Sequence, residues 1–266
     1  MVKVNKDFIK KSLEFSRKII EQDNQYHRLV PAGIDKNSDI AKQIAIQRTF
    51  MGKIGECAFL QYLWDKNKSY IQDKDMFSIF EGKSVTDTTD FFTTNNENKK
   101  IDIKTSYFDF HIRLIVNHEQ INASTDKRKD IYVGVKVNLK NWMFKNRYMY
   151  HYNGKDKSEQ IVDLEKMDGK VEFLIVDILG YEYRDELVKK RYLKYTPEGT
   201  MDKWDAYVNE NEDKVFYYNK NSRQIEEGKR NVNCNLSEFG NLGEGNCKWV
   251  FLEKLEDINR LLRFFK

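Results

Sequence analysis

Two strand-like runs, Val85-Thr-Asp-Thr-Thr-Asp-Phe-Phe-Thr-Thr94 and Lys100-Ile-Asp-Ile-Lys-Thr-Ser106, decide how this chain folds. The polar segment between them, residues 95–99, is rich in turn-forming asparagine, so the two runs predict a β-hairpin. Because side chains alternate between the faces of a strand, Asp102 and Lys104 share one face of the second run. The pattern therefore predicts a carboxylate beside an ammonium group on a sheet.

The hairpin would also bring Asp90, in the first run, close to Asp102. Two carboxylates at the end of a sheet are suited to a divalent metal ion, which prefers hard oxygen ligands. The Asp-x-Lys pattern is weak by itself, because six Asp/Glu-x-Lys triplets occur in the chain. The triplet that starts at Asp102 differs in lying within an alternating, β-branched strand and in following Asp90 by twelve positions. The combination predicts a metal site more strongly than either part.

A long helix should precede the hairpin, over about residues 38–66, with apolar side chains along one side. Gly52 and Gly55 lie within it and each costs roughly 1 kcal/mol relative to alanine in a helix interior. Their presence predicts close packing of this helix against a sheet. Glu56 follows directly and becomes a third candidate acid.

The order of the predicted elements indicates an α/β fold with a central mixed β-sheet flanked by helices. Besides the elements above, we predict helices over 6–22 and from 185, a short helix at 118–122 and an amphipathic closing helix over 252–265. We predict strands over 113–117 and 130–138, a strand over 171–179 stopped by Gly180, and strands within 206–218 and 231–236. A loop is predicted at 240–245. We expect residues 1–180 to form the core with its N-terminal helices. Residues 181–266 form a C-terminal α+β elaboration, as an accessory region or as part of the same domain.

Composition excludes several other classes of protein. The three cysteines show no CxxC spacing, which argues against a zinc ribbon and a secreted disulfide framework. The N-terminus lacks the apolar core of a signal peptide and no run of about 18 apolar residues occurs, so we expect a cytoplasmic protein with no membrane span. The four histidines are scattered, and Cys57 lies on an expected packing face, which disfavours His-based metal sites and Ser/Cys hydrolases. The net charge of +4 permits an anionic partner.

Glu56 on a helix, Asp90, and Asp102-Ile-Lys104 together resemble the PD-(D/E)xK nuclease superfamily, whose best-known members are type II restriction endonucleases. The resemblance covers roughly residues 43–140 and implies a restriction endonuclease-like core. Thr89 stands where the family usually has proline before the first aspartate.

The resemblance also implies a mechanism. Asp90, Asp102 and the Ile103 carbonyl would hold Mg²⁺, with Glu56 completing the metal shell directly or through water. Lys104 would orient or help to deprotonate the attacking water and stabilise developing charge. Ser106 and Gln120 are further candidates for contacts near the site.

The implied function is Mg²⁺-dependent hydrolysis of double-stranded DNA by a type II restriction endonuclease. Because a cut through both strands needs two active sites, the resemblance also implies a homodimer. The alternatives are another nuclease on this core, such as a junction resolvase, a repair exonuclease or a defence effector, and a non-catalytic nucleic-acid-binding protein. The basic and aromatic segment 140–157 and the run Lys189-Lys-Arg191 are candidates for contacts with nucleic acid.

Each of these assignments has an ordinary structural alternative. Glu56 could be a solvated helix residue, and Asp87 competes with Asp90 for the metal. Asp102 and Lys104 could form a simple surface pair on a strand. In both basic segments the aromatic side chains could belong to the core, with the lysines solvated.

Overall fold

The computed structural model describes nine segments of the chain: residues 1–22, 30–73, 75–79, 89–95, 98–125, 127–209, 213–230, 235–242 and 245–264. The helices in these segments are α1 (Lys6–Gln22), α2 (Asp39–Asp65), α3 (His118–Ile121), α4 (Leu164–Lys170), α5 (Arg184–Lys189) and α6 (Ile258–Phe264). None of the helices in these segments is long and apolar enough to cross a membrane.

Fifteen strands lie in the same segments. They are β1 (Val2–Asn5), β2 (Ile71–Asp73), β3 (Phe91–Thr93), β4 (Lys100–Ser106), β5 (Arg113–Asn117), β6 (Ile131–Asn138), β7 (Phe144–Tyr152), β8 (Lys155–Val162), β9 (Phe173–Tyr183), β10 (Arg191–Tyr195), β11 (Trp204–Val208), β12 (Lys214–Asn219), β13 (Gln224–Lys229), β14 (Gly240–Leu242) and β15 (Gly245–Phe251).

The largest sheet has six strands in the order β1-β9-β6-β4-β3-β2. Strands β4 and β6 run parallel, joined through β5 and α3, and every other neighbouring pair in this sheet is antiparallel. Helices lie against the sheet, so the predicted α/β class with a central mixed sheet is confirmed. The predicted β3–β4 hairpin is also confirmed, although residues 85–88 of its first run lie outside the described residues.

Helix α2 packs on one face of this sheet. It begins after Ser38, whose side-chain oxygen accepts a hydrogen bond from the Ala41 amide at 3.3 Å, and it continues without a break. Gly55 packs so closely on Thr105 of β4 that any larger side chain would collide with it, as the sequence predicts. Gly52 was expected to do the same, but open space surrounds its Cα hydrogens, so that prediction is wrong.

The opposite face of β4 and β6 is covered by the C-terminal half of the chain. Strand β15 pairs with β5, and the cluster around Trp249 and Phe251 encloses Tyr132 of β6. The antiparallel sheet β10-β11-β12-β13 lies beyond this cluster, with Tyr207 and Phe216 facing it. The predicted boundary at residue 180, between the core and the C-terminal region, lies inside β9.

Several predicted boundaries are wrong in the second half of the chain. Gly180 does not end β9, because its φ of 152° and its close approach to the Glu256 carbonyl let the strand bulge and continue to Tyr183. The predicted strand region 206–218 is two antiparallel strands, β11 and β12. Part of the predicted loop 240–245 is strand β14, and the closing helix begins only at Ile258, after a single 3₁₀ turn.

Candidate active site

The β3–β4 hairpin places Asp90 opposite Asp102. Phe91 pairs with Ile101, so the next position of this antiparallel register aligns the two aspartates on one face. The Ile103 amide donates a hydrogen bond to Asp90 Oδ2 at 2.6 Å. The two predicted carboxylates therefore lie together where β3 begins, as the sequence predicts.

Thr89 fixes the approach to this site. Its buried hydroxyl lies 2.9 Å from the Phe91 carbonyl oxygen and 3.0 Å from the Ile101 carbonyl oxygen, close enough to donate to either. A hydrogen bond from Thr89 to either strand of the hairpin restrains the residue before Asp90.

Lys104 lies on the same face of β4 as Asp102. Its Nζ is 2.6 Å from Asp102 Oδ2 and donates to Gln120 Oε1 at 3.0 Å, while the ring of Tyr132 lies beneath it with its centroid at 5.8 Å. Asp102 Oδ2 is buried and has no hydrogen bond of good geometry from the described residues, so the contact with Lys104 is an ion pair only. Gln120 thus holds the ammonium in place, and an oxygen of Asp102 retains capacity for a cation.

The pKa of Asp90 is raised to about 7, first by burial and next by the charge of the nearby Asp102 carboxylate. The Ile103 amide, Lys53 and Lys129 oppose this shift of the pKa by favouring the charged form. The two carboxylates therefore repel each other, and Asp90 is poised to bind or release a proton near neutral pH.

Two lysines of this site escaped sequence reasoning. Lys129 is buried just before β6 with its Nζ 3.9 Å from Asp102 Oδ1, and Lys53 of α2 is close enough to Asp90 to affect its charge. The parallel pairing of Ile101 with Ile131 explains the first contact, because it aligns the start of β6 with that of β4. No local pattern reveals this alignment.

Glu56 faces Lys53, which donates a hydrogen bond to Glu56 Oε2 at 2.7 Å. Both side chains are almost entirely buried, 10% and 11% exposed. Across the described parts of the chain, no three Asp, Glu, His or Cys side chains converge closely enough to hold a metal ion. The structure thus brings Asp90 and Asp102 together without Glu56. That Glu56 binds the metal ion stays a prediction.

The chemistry of the donor set fits Mg²⁺. Asp90 and Asp102 supply hard carboxylate oxygens. The amide and carbonyl of one strand residue point to the same neighbouring strand, so the Ile103 carbonyl is expected on the Asp90 side of β4. A cation between the aspartates would also remove the repulsion that raises the pKa of Asp90.

The two basic segments are arranged differently from one another. Residues 144–162 form the β7–β8 hairpin, in which Tyr148 and Tyr150 pack on the Ile44 cluster while Lys145 and Arg147 are exposed. In the run 189–191, Lys190 is buried in an ion pair with Glu182 at 2.9 Å, so the run is not a continuous basic surface.

The other side chains weighed in the sequence analysis add no further candidate to this site. Cys57 is buried in the main core with its pKa raised to about 12 by burial, which confirms the core assignment. Asp87, His27 and Cys234 lie outside the described residues.

Comparison of the chain with family models, with curated proteins and with solved structures found no match. The likeness to the PD-(D/E)xK superfamily therefore depends on the residues quoted above and on their arrangement.

Proposed function

We propose that this chain is a Mg²⁺-dependent endodeoxyribonuclease of the PD-(D/E)xK superfamily with a restriction endonuclease-like core. The observation that carries the proposal is the meeting of Asp90 and Asp102 across β3 and β4, with the Lys104 ammonium 2.6 Å from Asp102 Oδ2. In this assignment the metal ligands are Asp90, Asp102 and the Ile103 carbonyl, with Glu56 as a candidate outer partner.

Phosphodiester hydrolysis needs an activated water and neutralisation of the charge that builds on the phosphate. Bound Mg²⁺ would supply a Lewis acid that neutralises phosphate charge and makes water easier to deprotonate. Lys104, held by Gln120 and resting on Tyr132, directs its ammonium to the same place as the carboxylates. It can donate hydrogen bonds to the water or to a phosphate oxygen and stabilise negative charge there. Lys129 adds a second cation beside Asp102.

Double-stranded DNA is the proposed substrate, and a type II restriction endonuclease the preferred class. A cut through both strands needs two copies of the site, which favours a homodimer acting in the cytoplasm. The C-terminal sheets on the far side of β6 offer surface for recognition, and the exposed Lys145 and Arg147 of the β7–β8 hairpin can contact phosphates.

A non-catalytic nucleic-acid-binding protein is the second candidate. The observation in its favour is that lysines already accompany the acids: Lys53 pairs with Glu56, and Lys104 and Lys129 flank Asp102. Such an ion-pair network would stabilise a scaffold without needing a metal.

Incubation with supercoiled plasmid in Mg²⁺ and in EDTA separates the candidates. We expect metal-dependent cutting, with discrete bands for a sequence-specific enzyme and a smear for a nonspecific one. Lys104→Ala should lower the rate by about 10²–10⁴-fold while DNA binding persists. Lys6→Ala, which removes a lysine paired with Glu172 at the start of α1, is the matched control and should cut normally. Absence of cleavage on every DNA and RNA substrate would favour the binding protein.

A further inference from the structure

A cavity of about 300 Å³ opens beside the candidate active site, at the C-terminal end of β4. It is lined by Lys104, Ser106, Phe110, His111, Arg113 and Leu252, among others. Among the described residues that line it, none is acidic. Its volume lies at the lower end of the roughly 300–1,000 Å³ typical of small-molecule sites, so it suits a single ring system.

Two polar atoms of residues that line this cavity have no hydrogen bond from the described residues. One is the Oγ of Ser106, a residue that is 6% exposed. The other is the Nε of Arg113, whose guanidinium lies over the Trp249 ring with the centroid at 4.3 Å and forms an ion pair with Asp205 at 3.7 Å. A hydroxyl that can donate or accept and an N–H that donates match the polar edge of a heterocyclic ring.

The rim of the cavity carries an exposed aromatic side chain. Phe110 is 67% exposed, and its ring stacks on Phe108 at a centroid distance of 5.1 Å and an angle of 14°. A nucleobase would extend this stack, because every base has a flat π-face.

Charged side chains act on this rim. Burial, and next the charges of Arg48 and Lys136, lower the pKa of His111 to about 4. Each of these cations also has an acidic partner: Glu159 lies 2.9 Å from Arg48, and Asp109 lies 3.2 Å from Lys136. Lys104 belongs both to the cavity and to the candidate active site. A ligand in the cavity would therefore lie next to the phosphate that Lys104 faces.

We propose that this cavity, the base pocket, receives one unpaired DNA nucleobase adjacent to the scissile phosphate, stacked on Phe110 and hydrogen-bonded to Ser106 and Arg113. The inference rests on the proposed nuclease function and adds to it: the substrate would be distorted or single-stranded at the cut, with one base removed from the stack.

Binding of two oligomers of equal length tests the base pocket: oligothymidylate and the corresponding abasic deoxyribose phosphate chain, compared by fluorescence anisotropy in EDTA. Wild-type protein should bind the thymidylate about tenfold more tightly. Phe110→Ala should lose most of this preference and bind the abasic chain as before. Phe173→Ala is the matched control, since Phe173 on β9 is also an exposed phenylalanine, at 47%.

Photocrosslinking with an oligomer that contains 5-iododeoxyuridine then locates the base. We expect an adduct on the peptide that contains Phe110 and His111. An unchanged preference in Phe110→Ala, or adducts confined to the β7–β8 hairpin, would overturn the base pocket while plasmid cleavage could still support the nuclease. If wild-type protein bound neither oligomer and cut no plasmid, the proposed function would fail as well.

Discussion

Two pairs of charged side chains beside β4 differ in one respect. Glu56 lies 2.7 Å from the Lys53 ammonium, so its charge is balanced within α2. Asp90 lies opposite another carboxylate, Asp102, and the pKa of Asp90 is raised to about 7 by burial and by that neighbour. Both acids belong to the sequence motif, but only the second has an environment that a cation would improve.

This difference indicates which of the two acidic positions, Glu56 or the Asp90–Asp102 pair, would be stabilised by a metal ion. A cation at Glu56 would compete with Lys53 for a carboxylate that is already neutralised, whereas a cation between Asp90 and Asp102 would relieve repulsion in a buried place. Variants of each acid should therefore behave differently, and the comparison fails if they do not.

Asp102→Asn should have the largest effect. It removes one carboxylate charge from the pair while preserving shape, so we expect cleavage of plasmid to fall by about 10³-fold. Steady-state cleavage at several Mg²⁺ concentrations measures the loss. Activity within tenfold of wild type would exclude Asp102 as a metal ligand.

Asp90→Asn should increase stability in the absence of metal. A raised folded-state pKa means that the folded protein binds more protons than the unfolded chain between pH 3.8 and about 7, so stability falls as pH rises through this window and stays low above it. Asparagine carries no charge and keeps an oxygen for the Ile103 amide. At pH 8 in EDTA the gain in unfolding free energy is at most about 4 kcal/mol, and at pH 3.5 it should vanish.

Urea denaturation at the two pH values measures this gain, and Asp109→Asn, which changes an exposed acid, should show little of it. The quantity to follow is the unfolding free energy of the wild-type protein minus that of Asp90→Asn. If this difference did not fall between pH 4 and pH 8, it would contradict the repulsion inferred for the Asp90–Asp102 pair.

Glu56→Gln should have the smallest effect on catalysis. We expect less than about a tenfold loss of rate and an unchanged requirement for Mg²⁺, because Glu56 contacts Lys53 rather than the aspartates. Stability should fall by roughly 3 kcal/mol, since Lys53 keeps its buried charge. Glu159→Gln, which breaks the partly buried ion pair with Arg48, controls for the loss of an acidic partner. A large rise in the Mg²⁺ concentration for half-maximal rate would instead make Glu56 a ligand.

Local periodicity explains which parts of this fold could be predicted from sequence. The α2 helix, β4, β5 and β6 are all encoded by apolar spacing that each segment carries alone, and all four were predicted. Strands β1 and β2 have four and three residues, too few for a pattern to stand out, and both were missed. The polar sequence after Val208 contains turn-forming residues. The prediction took no account of them, so it gave one strand region where the structure has β11 and β12.

The candidate site was predictable where it depends on neighbours in one hairpin. Asp90 meets Asp102 because a turn of known kind joins their strands. The Lys53–Glu56 pair is local, because residues three apart in a helix are neighbours, and it could have been predicted from the sequence of α2. The contact of Lys129 with Asp102 could not, because it depends on the parallel register of β4 and β6, which neither segment encodes alone.

Helix α6 has a consequence for when activity can first arise during synthesis. Its Ile258, Leu261 and Leu262 belong to the same apolar cluster as Ile101 and Ile103 of β4, and the Tyr70 hydroxyl donates to the Leu262 carbonyl. A chain still attached to the ribosome short of these residues therefore lacks the part of its main core in which α6 packs on β9. Translation itself would delay the proposed DNA-cutting activity until α6 has been made.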